Sequence, residues 1–205
     1  VSRYNVDALE ELARMVAGLR PAMWDLFFLV PTGRGHREYM ITPQQHEDTF
    51  RWLYHLSAAA PFDIKTTAGQ HYRRVALQER GGGGVTAPGF TSGDGIGRAR
   101  GVNDGNGCCF VSHIGEVYPS GFLPLVAGDV RHTPLHRLYR DAPLFRELRD
   151  PARLKGKCGY CEFKVLCGGS RSRAYAVTGD YLEAEPCCIY MPEAEGGDPE
   201  GGGHG

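Results

Sequence analysis

The chain has 205 residues, 41% of them hydrophobic and 23% charged, and its 23 basic and 24 acidic side chains give a formal net charge of −1. This is the composition of an ordinary globular protein. No apolar run approaches the roughly 18 residues that cross a bilayer, the first residues carry no signal-peptide pattern, and the balanced charge lacks the basic excess that nucleic acid binding requires. We therefore expect no membrane and no nucleic acid among its partners.

The chain begins with a helix and a strand. Apolar residues at three- and four-residue spacing predict a helix over residues 6–19, with Asn5 as its N-cap. The continuous apolar run at 26–30 is typical of a strand that is buried on both faces, as in a parallel sheet. A glycine-containing loop, residues 31–35, follows this strand.

A second helix, a second strand and a short third helix come next. Thr42 and Gln45 form the pattern of a capping box, with proline at the first helical position. Residues 62–67 predict a strand and residues 70–79 a helix. The alternation predicts a parallel sheet with right-handed crossovers. Because two strands cannot bury both faces of a sheet, we expect residues 1–80 to be part of a larger α/β unit.

The remainder divides into a glycine-rich segment, a small module and a tail. Residues 81–105 predict a linker or loop, because this composition buries little apolar surface. Residues 106–192 predict a module that opens with a hairpin of the strands 109–112 and 116–119. The tail, 193–205, is expected to be disordered. Short helices are predicted near 134–140, near 143–149 and after Cys167.

The cysteines give the strongest functional signal. Their odd number, seven, fits a disulfide framework poorly, and their clustering indicates metal binding in a reducing, cytoplasmic compartment. Cys158 and Cys161 form a Cys-x2-Cys turn, Cys167 follows after five further residues, and Cys187 or Cys188 supplies a fourth thiolate. Such a set can hold a tetrahedral zinc ion or a [4Fe-4S] cluster, and the spacing leaves both open.

The cysteine pattern and its neighbours resemble a known family. Together with the run Gly-Gly-Ser-Arg-Ser-Arg-Ala-Tyr-Ala-Val-Thr-Gly-Asp at 168–180 and Glu-Pro-Cys-Cys-Ile-Tyr at 185–190, the pattern resembles the auxiliary-cluster module of radical SAM/SPASM enzymes. The hairpin region 107–121 is similar to the start of that module. The alternation in residues 5–80 resembles the last βα units of the family's barrel. Among subgroups, the chain is most similar to the enzymes of heme and heme d1 synthesis.

The resemblance implies both a fold and a chemistry. The implied fold is α/β: the C-terminal part of a partial (β/α)6 radical SAM barrel, followed by a small α+β SPASM/twitch-like iron-sulfur module. The implied cofactors are an auxiliary [4Fe-4S] cluster in this chain and S-adenosyl-L-methionine (SAM) in the full-length enzyme. Such an oxidoreductase or maturase modifies a tetrapyrrole, a peptide or a small metabolite, with an electron donor such as ferredoxin or flavodoxin.

The sequence departs from the family's pattern in two places. The Cys-x3-Cys-x2-Cys motif, whose cluster cleaves SAM, does not occur in these 205 residues. We expect it upstream of Val1, and we do not expect this chain alone to cleave SAM. Val126 and Arg171 stand where the full pattern has two further cysteines, so a single auxiliary cluster is expected.

The resemblance favours an iron-sulfur cluster over zinc. Cys188 is preferred to Cys187 as the fourth ligand, because the longer gap and the following Ile-Tyr pair fit the family's closing motif better. The alternatives are a zinc-binding structural or interaction module without redox chemistry, and a domain whose cysteines only pack. The expected ligands are Cys158, Cys161, Cys167 and Cys188.

A pocket for SAM or substrate is expected beside the predicted strands. In the family, the loops at the carboxyl ends of the barrel strands line this pocket, and ligands favour this edge of parallel strands. Four polar or charged residues follow or end the two strands here. These candidates are Thr32, Arg34, Lys65 and Thr66.

Other residues near the cysteines are given more ordinary interpretations. Lys155 and Lys157 are interpreted as exposed, and Arg171 and Arg173 are expected to face water. Free cysteine packs well in cores, so Cys108, Cys109 and Cys187 are interpreted as packing residues. Aromatic neighbours are expected to tune the cluster by excluding water. These neighbours are Tyr160 and Phe163. Four histidines have no spacing that suggests metal binding and are assigned no role: His36, His46, His55 and His71.

Overall fold

The computed structural model describes residues 1–81 and 102–193. Within these ranges the chain has a mixed α/β architecture with one two-stranded and one three-stranded sheet. Most of the predicted glycine-rich linker, 81–105, and most of the predicted tail, 193–205, lie outside the described residues. The described helices contain none long and apolar enough to cross a membrane.

The first helix forms as its apolar spacing predicts, but its start differs. A 3-10 turn, Val6–Ala8, leads into α1, Leu9–Leu19. The prediction that Asn5 caps the helix is wrong, because its side chain makes no capping hydrogen bond to the turn that follows. The Asn5 Oδ1 instead accepts a hydrogen bond of 2.8 Å from the backbone N–H of Ser2.

The first strand also differs from its prediction. Strand β1, Met23–Phe27, pairs in parallel with β2, Asp63–Thr67. The prediction of a strand at 26–30 buried on both faces is wrong, because the strand begins three residues earlier, ends at Phe27, and leaves the Phe27 side chain 41% exposed while Leu26 is buried. In the described part of the chain the core that buries Leu26 is formed with side chains of the helices, and it lies on one face of this sheet.

The second helix confirms its sequence signal. Helix α2, Pro43–Ala59, begins with a complete capping box. The Thr42 Oγ1 accepts from the Gln45 backbone N–H at 3.1 Å, and the Gln45 side chain accepts from the Thr42 N–H at 2.9 Å. Helix α3, Tyr72–Glu79, follows β2 and packs beside α2 with Phe50 and Val75 in the shared core.

Residues 102–193 contain a small antiparallel sheet and four short α-helices. The predicted hairpin is confirmed, since β3, Phe110–Val111, pairs antiparallel with β4, Glu116–Tyr118. A third strand, β5, Gly128–Asp129, was not predicted from the sequence. The helices are α4, Leu135–Asp141, α5, Pro143–Leu148, α6, Gly156–Tyr160, and α7, Arg171–Thr178.

Arg173 in α7 joins the two halves of the chain. Its side chain is fully buried. The guanidinium donates to the carbonyl oxygens of Leu29 at 3.2 Å and Ala68 at 2.6 Å, just beyond the ends of β1 and β2. It also pairs with the Glu185 carboxylate at 3.2 Å. The expectation that Arg173 faces water is wrong, because buried carbonyls beyond a strand end need a donor.

The expectation that Arg171 faces water is also wrong. Its side chain is 1% exposed and donates to the carbonyl oxygens of Tyr181 and Glu183 at 3.0 and 2.8 Å. The two arginines therefore tie the segment after α7 to the rest of the fold.

We predict that Arg173→Met lowers the free energy of unfolding by about 3 to 5 kcal/mol, the range for breaking a buried ion pair. The substitution leaves Glu185 buried without its cation and two carbonyls without their donor. Urea unfolding of the metal-free chain measures this loss. The exposed Arg146 offers a matched control, because Arg146→Met should change stability by less than about 0.5 kcal/mol. Equal losses in the two variants would contradict the role of Arg173.

Candidate functional site

The structure brings the four predicted ligand cysteines to one cavity. Cys158 lies in α6, Cys161 directly follows that helix, Cys167 lies before α7, and Cys188 lies in the segment after α7. All four line a single cavity with about 390 Å³ of empty space, part of which is open to solvent. We call these residues the cavity cysteines.

A glycine pair shapes the wall beside Cys167. Gly168 and Gly169 both adopt the left-handed region, with φ of 65° and 62°. A Cβ on Gly169 would lie 2.8 Å from the Cβ of Glu185, so only glycine fits at this approach. The tight turn directs the backbone N–H of Gly169 to the Cys167 Sγ at 3.4 Å.

The segment that follows α7 forms the cavity wall opposite the glycine pair. The backbone N–H of Lys155 donates to the Leu182 carbonyl at 2.8 Å and holds the returning segment against α6. The backbone N–H of Glu185 then donates to the Cys158 Sγ at 3.4 Å. Two cavity cysteines therefore already accept hydrogen bonds from backbone amides.

Three cationic side chains also line the cavity. Arg74 is buried, pairs with Glu47 at 2.8 Å, and places its guanidinium 3.9 Å from the Cys188 Sγ. Lys164 donates to the Gly159 carbonyl at 2.9 Å. Lys157, which was interpreted as simply exposed, donates to the Cys188 carbonyl and is half-buried. Lys155 is exposed as expected and pairs with Asp180.

Burial controls the charge of the thiols themselves. It raises the pKa of Cys161 to about 11 and the pKa of Cys167 to about 12. Burial also raises the pKa of Cys188. In the metal-free chain these thiols are therefore protonated at neutral pH, and a metal that binds them must displace their protons.

The other cysteines lie elsewhere. Cys187 is 3% exposed, is not among the described residues that line the cavity, and donates its backbone N–H to Glu185 at 3.0 Å. The Cys108 thiol donates to the Asn103 carbonyl at 3.3 Å. Cys109 packs against the core around Val117. These positions agree with the interpretation of all three as packing residues.

Two aromatic side chains form part of the cavity lining. Phe163 is 7% exposed, and its ring meets that of Tyr190 with the centroids 5.4 Å apart. Both line the cavity. Tyr160 is 41% exposed and is not among the described lining residues. Of the two aromatic residues named in the sequence analysis, only Phe163 is therefore placed to exclude water.

A buried acid and a buried histidine complete the wall. Burial favours a raised pKa for Glu185, but the Arg173 guanidinium and the N–H groups of Ser170 and Cys187 hold it at about 2. His71 is fully buried, lines the cavity, and has no hydrogen-bond partner for either ring nitrogen among the described residues. Sequence reasoning assigned His71 no role, since its spacing gives no ligand signal.

The four predicted pocket residues lie apart from this cavity. Lys65 pairs with Asp25 at 2.7 Å, and the Thr66 hydroxyl donates to the Gly69 carbonyl at 3.2 Å. Both lie in β2, while Thr32 and Arg34 lie in the loop after β1 and are half-buried and exposed. Asp25, which the sequence did not single out, also accepts from Thr67. A role for these residues in binding SAM or substrate stays a prediction.

No single-ion site is formed by the described residues. Within residues 1–81 and 102–193, no three His, Cys, Asp or Glu side chains form a group that could hold one metal ion. The donor chemistry at the cavity cysteines, four thiols with cations and amide donors around them, fits a negatively charged cluster.

Comparison with known proteins places these features in a wider context. No protein-family model matches the chain. The chain is 41% identical over 192 residues to the AdoMet-dependent heme synthase of Methanosarcina barkeri, a match that covers 94% of this chain and 55% of that protein. It is 35% identical over 195 residues to the AdoMet-dependent heme synthase of Nitratidesulfovibrio vulgaris, covering 94% and 53%. It is 37% identical over 105 residues to the pre-heme d1 synthase of Dinoroseobacter shibae, covering 49% and 25%.

Identity at this level over nearly the whole chain shows common ancestry. The chain is therefore a relative of the radical SAM enzymes. The relatives named above are heme synthases and a pre-heme d1 synthase, and the resemblance to this subgroup noted in the sequence is confirmed. The chain spans about half the length of the heme synthases that it matches.

Two stacked histidines make the core beneath the cavity sensitive to acid. The rings of His46 and His71 lie 5.5 Å apart. Burial lowers the pKa of His46 to about 4 and lowers that of His71 well below its usual value. Both rings are therefore neutral in the folded chain at neutral pH.

We predict that the metal-free chain loses stability as the pH falls from about 6.5 to about 4. Over this range the unfolded chain takes up protons on histidines that stay neutral in the folded chain, so the free energy of unfolding decreases. For His46 alone the loss is roughly 3 kcal/mol, at about 1.4 kcal/mol for each unit of pKa shift. Urea unfolding at several pH values should show a flatter dependence for His46→Phe. An unchanged dependence would contradict this account, and the exposed His136 gives the control variant His136→Phe.

Proposed function

We propose that this chain holds the auxiliary [4Fe-4S] cluster of a radical SAM oxidoreductase of the heme-synthesis type, with the cavity cysteines as its ligands. The observation that carries the proposal is that these four thiols, from four separate positions of the fold, line one cavity. The similarity of the chain to AdoMet-dependent heme synthases supports it.

The relatives of the chain favour a cluster over a single zinc ion. Four thiolates that line one cavity suit either a tetrahedral zinc ion or a cubane cluster. The similarity to AdoMet-dependent heme synthases supports the cluster. A zinc-binding structural module is therefore the less favoured alternative.

The surrounding residues adapt the cavity to such a group. When bound, the cluster supplies one-electron transfer. Arg74, Lys157 and Lys164 offset the negative charge of the four thiolates. Phe163 and Tyr190 exclude water, and burial of this kind is one determinant of a cluster's reduction potential.

For the full-length enzyme we propose a partial radical SAM barrel that includes β1 and β2. Thr32, Arg34, Lys65 and Thr66 would contribute to the SAM and substrate pocket at the carboxyl ends of these parallel strands, the edge at which ligands bind in such folds. The names of the relatives point to a tetrapyrrole as the substrate. A ferredoxin or flavodoxin would supply electrons.

We predict that anaerobic reconstitution of the chain yields about four iron and four sulfide atoms per chain, and that Cys188→Ala loses them. Cys187→Ala is the matched control: it alters the adjacent cysteine, which lies outside the cavity lining, and should retain the full content. Iron, sulfide and zinc analysis with visible absorbance measures the result. Loss of iron from Cys187→Ala with retention in Cys188→Ala would reverse the ligand assignment, and one zinc with no colour would support a structural site.

We predict that Phe163→Ala makes the bound cluster bleach several-fold faster in air. The substitution opens the cavity wall to water and oxygen, whereas Tyr160→Ala removes a side chain that is already 41% exposed. The decay of visible absorbance after exposure to air compares the two variants. Equal rates in Phe163→Ala and wild type would contradict a shielding role for Phe163.

A further inference from the structure

His71 is a buried residue of the cavity wall, and the proposed function assigns no role to its two ring nitrogens. Its side chain is 0% exposed, and neither ring nitrogen has a hydrogen-bond partner among the described residues. Buried polar groups are nearly always hydrogen-bonded, and an exception at a candidate site indicates a functional role for the group. Because His71 lines the same cavity as the cavity cysteines, this role belongs to the cavity.

The packing around the ring holds it in place. On one side the ring meets Phe50 edge-on with the centroids 4.6 Å apart, and the ring of His46 lies 5.5 Å away. The Glu185 carboxylate is nearby, but it is occupied by Arg173 and by the N–H groups of Ser170 and Cys187. The ring is therefore held by contacts with other rings, and its two nitrogens are left to interact with a ligand in the cavity.

We propose that His71 donates an N–H hydrogen bond to a sulfur atom of the bound cluster and thereby raises its reduction potential. This inference rests on the proposed function. A neutral imidazole carries one N–H donor, and hydrogen bonds to cluster and cysteinyl sulfurs are among the factors that set a cluster's potential. The bond strengthens when the cluster gains an electron and becomes more negative, so it favours the reduced form.

His71 would complete a set of donors that the backbone begins. The amides of Gly169 and Glu185 already point at Cys167 and Cys158. Removing a main-chain donor requires proline, which also changes the backbone, whereas a side-chain donor can be removed without changing the backbone. Substitution of His71 can therefore test how a side-chain donor affects the reduction potential of the cluster.

The test is the midpoint potential of the reconstituted cluster in the full 205-residue chain, followed by EPR during a redox titration. We expect His71→Phe to retain its iron and to shift the potential to more negative values. A tenfold lower ratio of reduced to oxidised cluster at a fixed poise corresponds to about 59 mV for one electron. His46→Phe is the matched control, because it removes the neighbouring buried histidine, which is not among the described residues that line the cavity, and it should leave the potential unchanged.

A second measurement uses the wild-type chain and does not depend on a variant that folds. Pulsed EPR of the reduced cluster, in protein labelled with ¹⁵N-histidine, should show a weak nitrogen hyperfine coupling. A cluster with full iron content but no ¹⁵N coupling would overturn the role of His71 and leave the proposed function intact. An equal potential in wild type and His71→Phe would do the same. Failure of the wild-type chain to bind any cluster would instead overturn the proposed function.

Discussion

The fold depends on one buried guanidinium. Arg173 reaches from α7 to the carbonyl oxygens of Leu29 and Ala68 and to the carboxylate of Glu185. Those carbonyls lie just beyond the ends of the two parallel strands, and Glu185 precedes Cys188 in the segment after α7. Arg173 therefore connects the segment that carries Cys188 directly to the residues that follow the two strands. A buried charge is costly unless its donors are paired. Movement of Arg173 would break these pairs, so its contacts restrict motion more than an apolar contact would.

The buried ion pairs beside the cavity limit which side chains are free to bind a metal there. With Glu185 committed to Arg173 and Glu47 committed to Arg74, neither acid is left to compete with thiolates for a metal. The cavity cysteines then remain as the proposed ligands, and amides, cations and aromatic rings surround them. Such surroundings suit a cluster with distributed negative charge, and they supply the outer interactions by which a protein sets its potential.

Sequence reasoning succeeded where the signal was local. The capping box at Thr42 and Gln45 and the hairpin of β3 and β4 depend on neighbouring residues, and both are confirmed. The grouping of Cys158, Cys161 and Cys167 followed from short spacing, and their meeting with Cys188 in one cavity agrees with the resemblance.

The failures concern contacts between distant segments. The burial of Arg173 depends on the carbonyls of Ala68 and Leu29, which lie 105 and 144 residues away in the sequence. His71 has no ligand spacing in the sequence and is identified only by the cavity that it lines. Strand β1 begins earlier than its apolar run because pairing with β2 sets the register, and β5 is a Gly-Asp pair that forms a strand only beside β4.

The central claim is that the cavity cysteines hold an iron-sulfur cluster. X-ray absorption at the iron and zinc edges, on the chain purified and reconstituted without oxygen, tests this claim most directly because it reports the identity and the neighbours of the metal together. Our account predicts iron in all-sulfur coordination with a distinct iron–iron scattering contribution. Zinc surrounded by sulfur alone, with no metal–metal contribution, would contradict it.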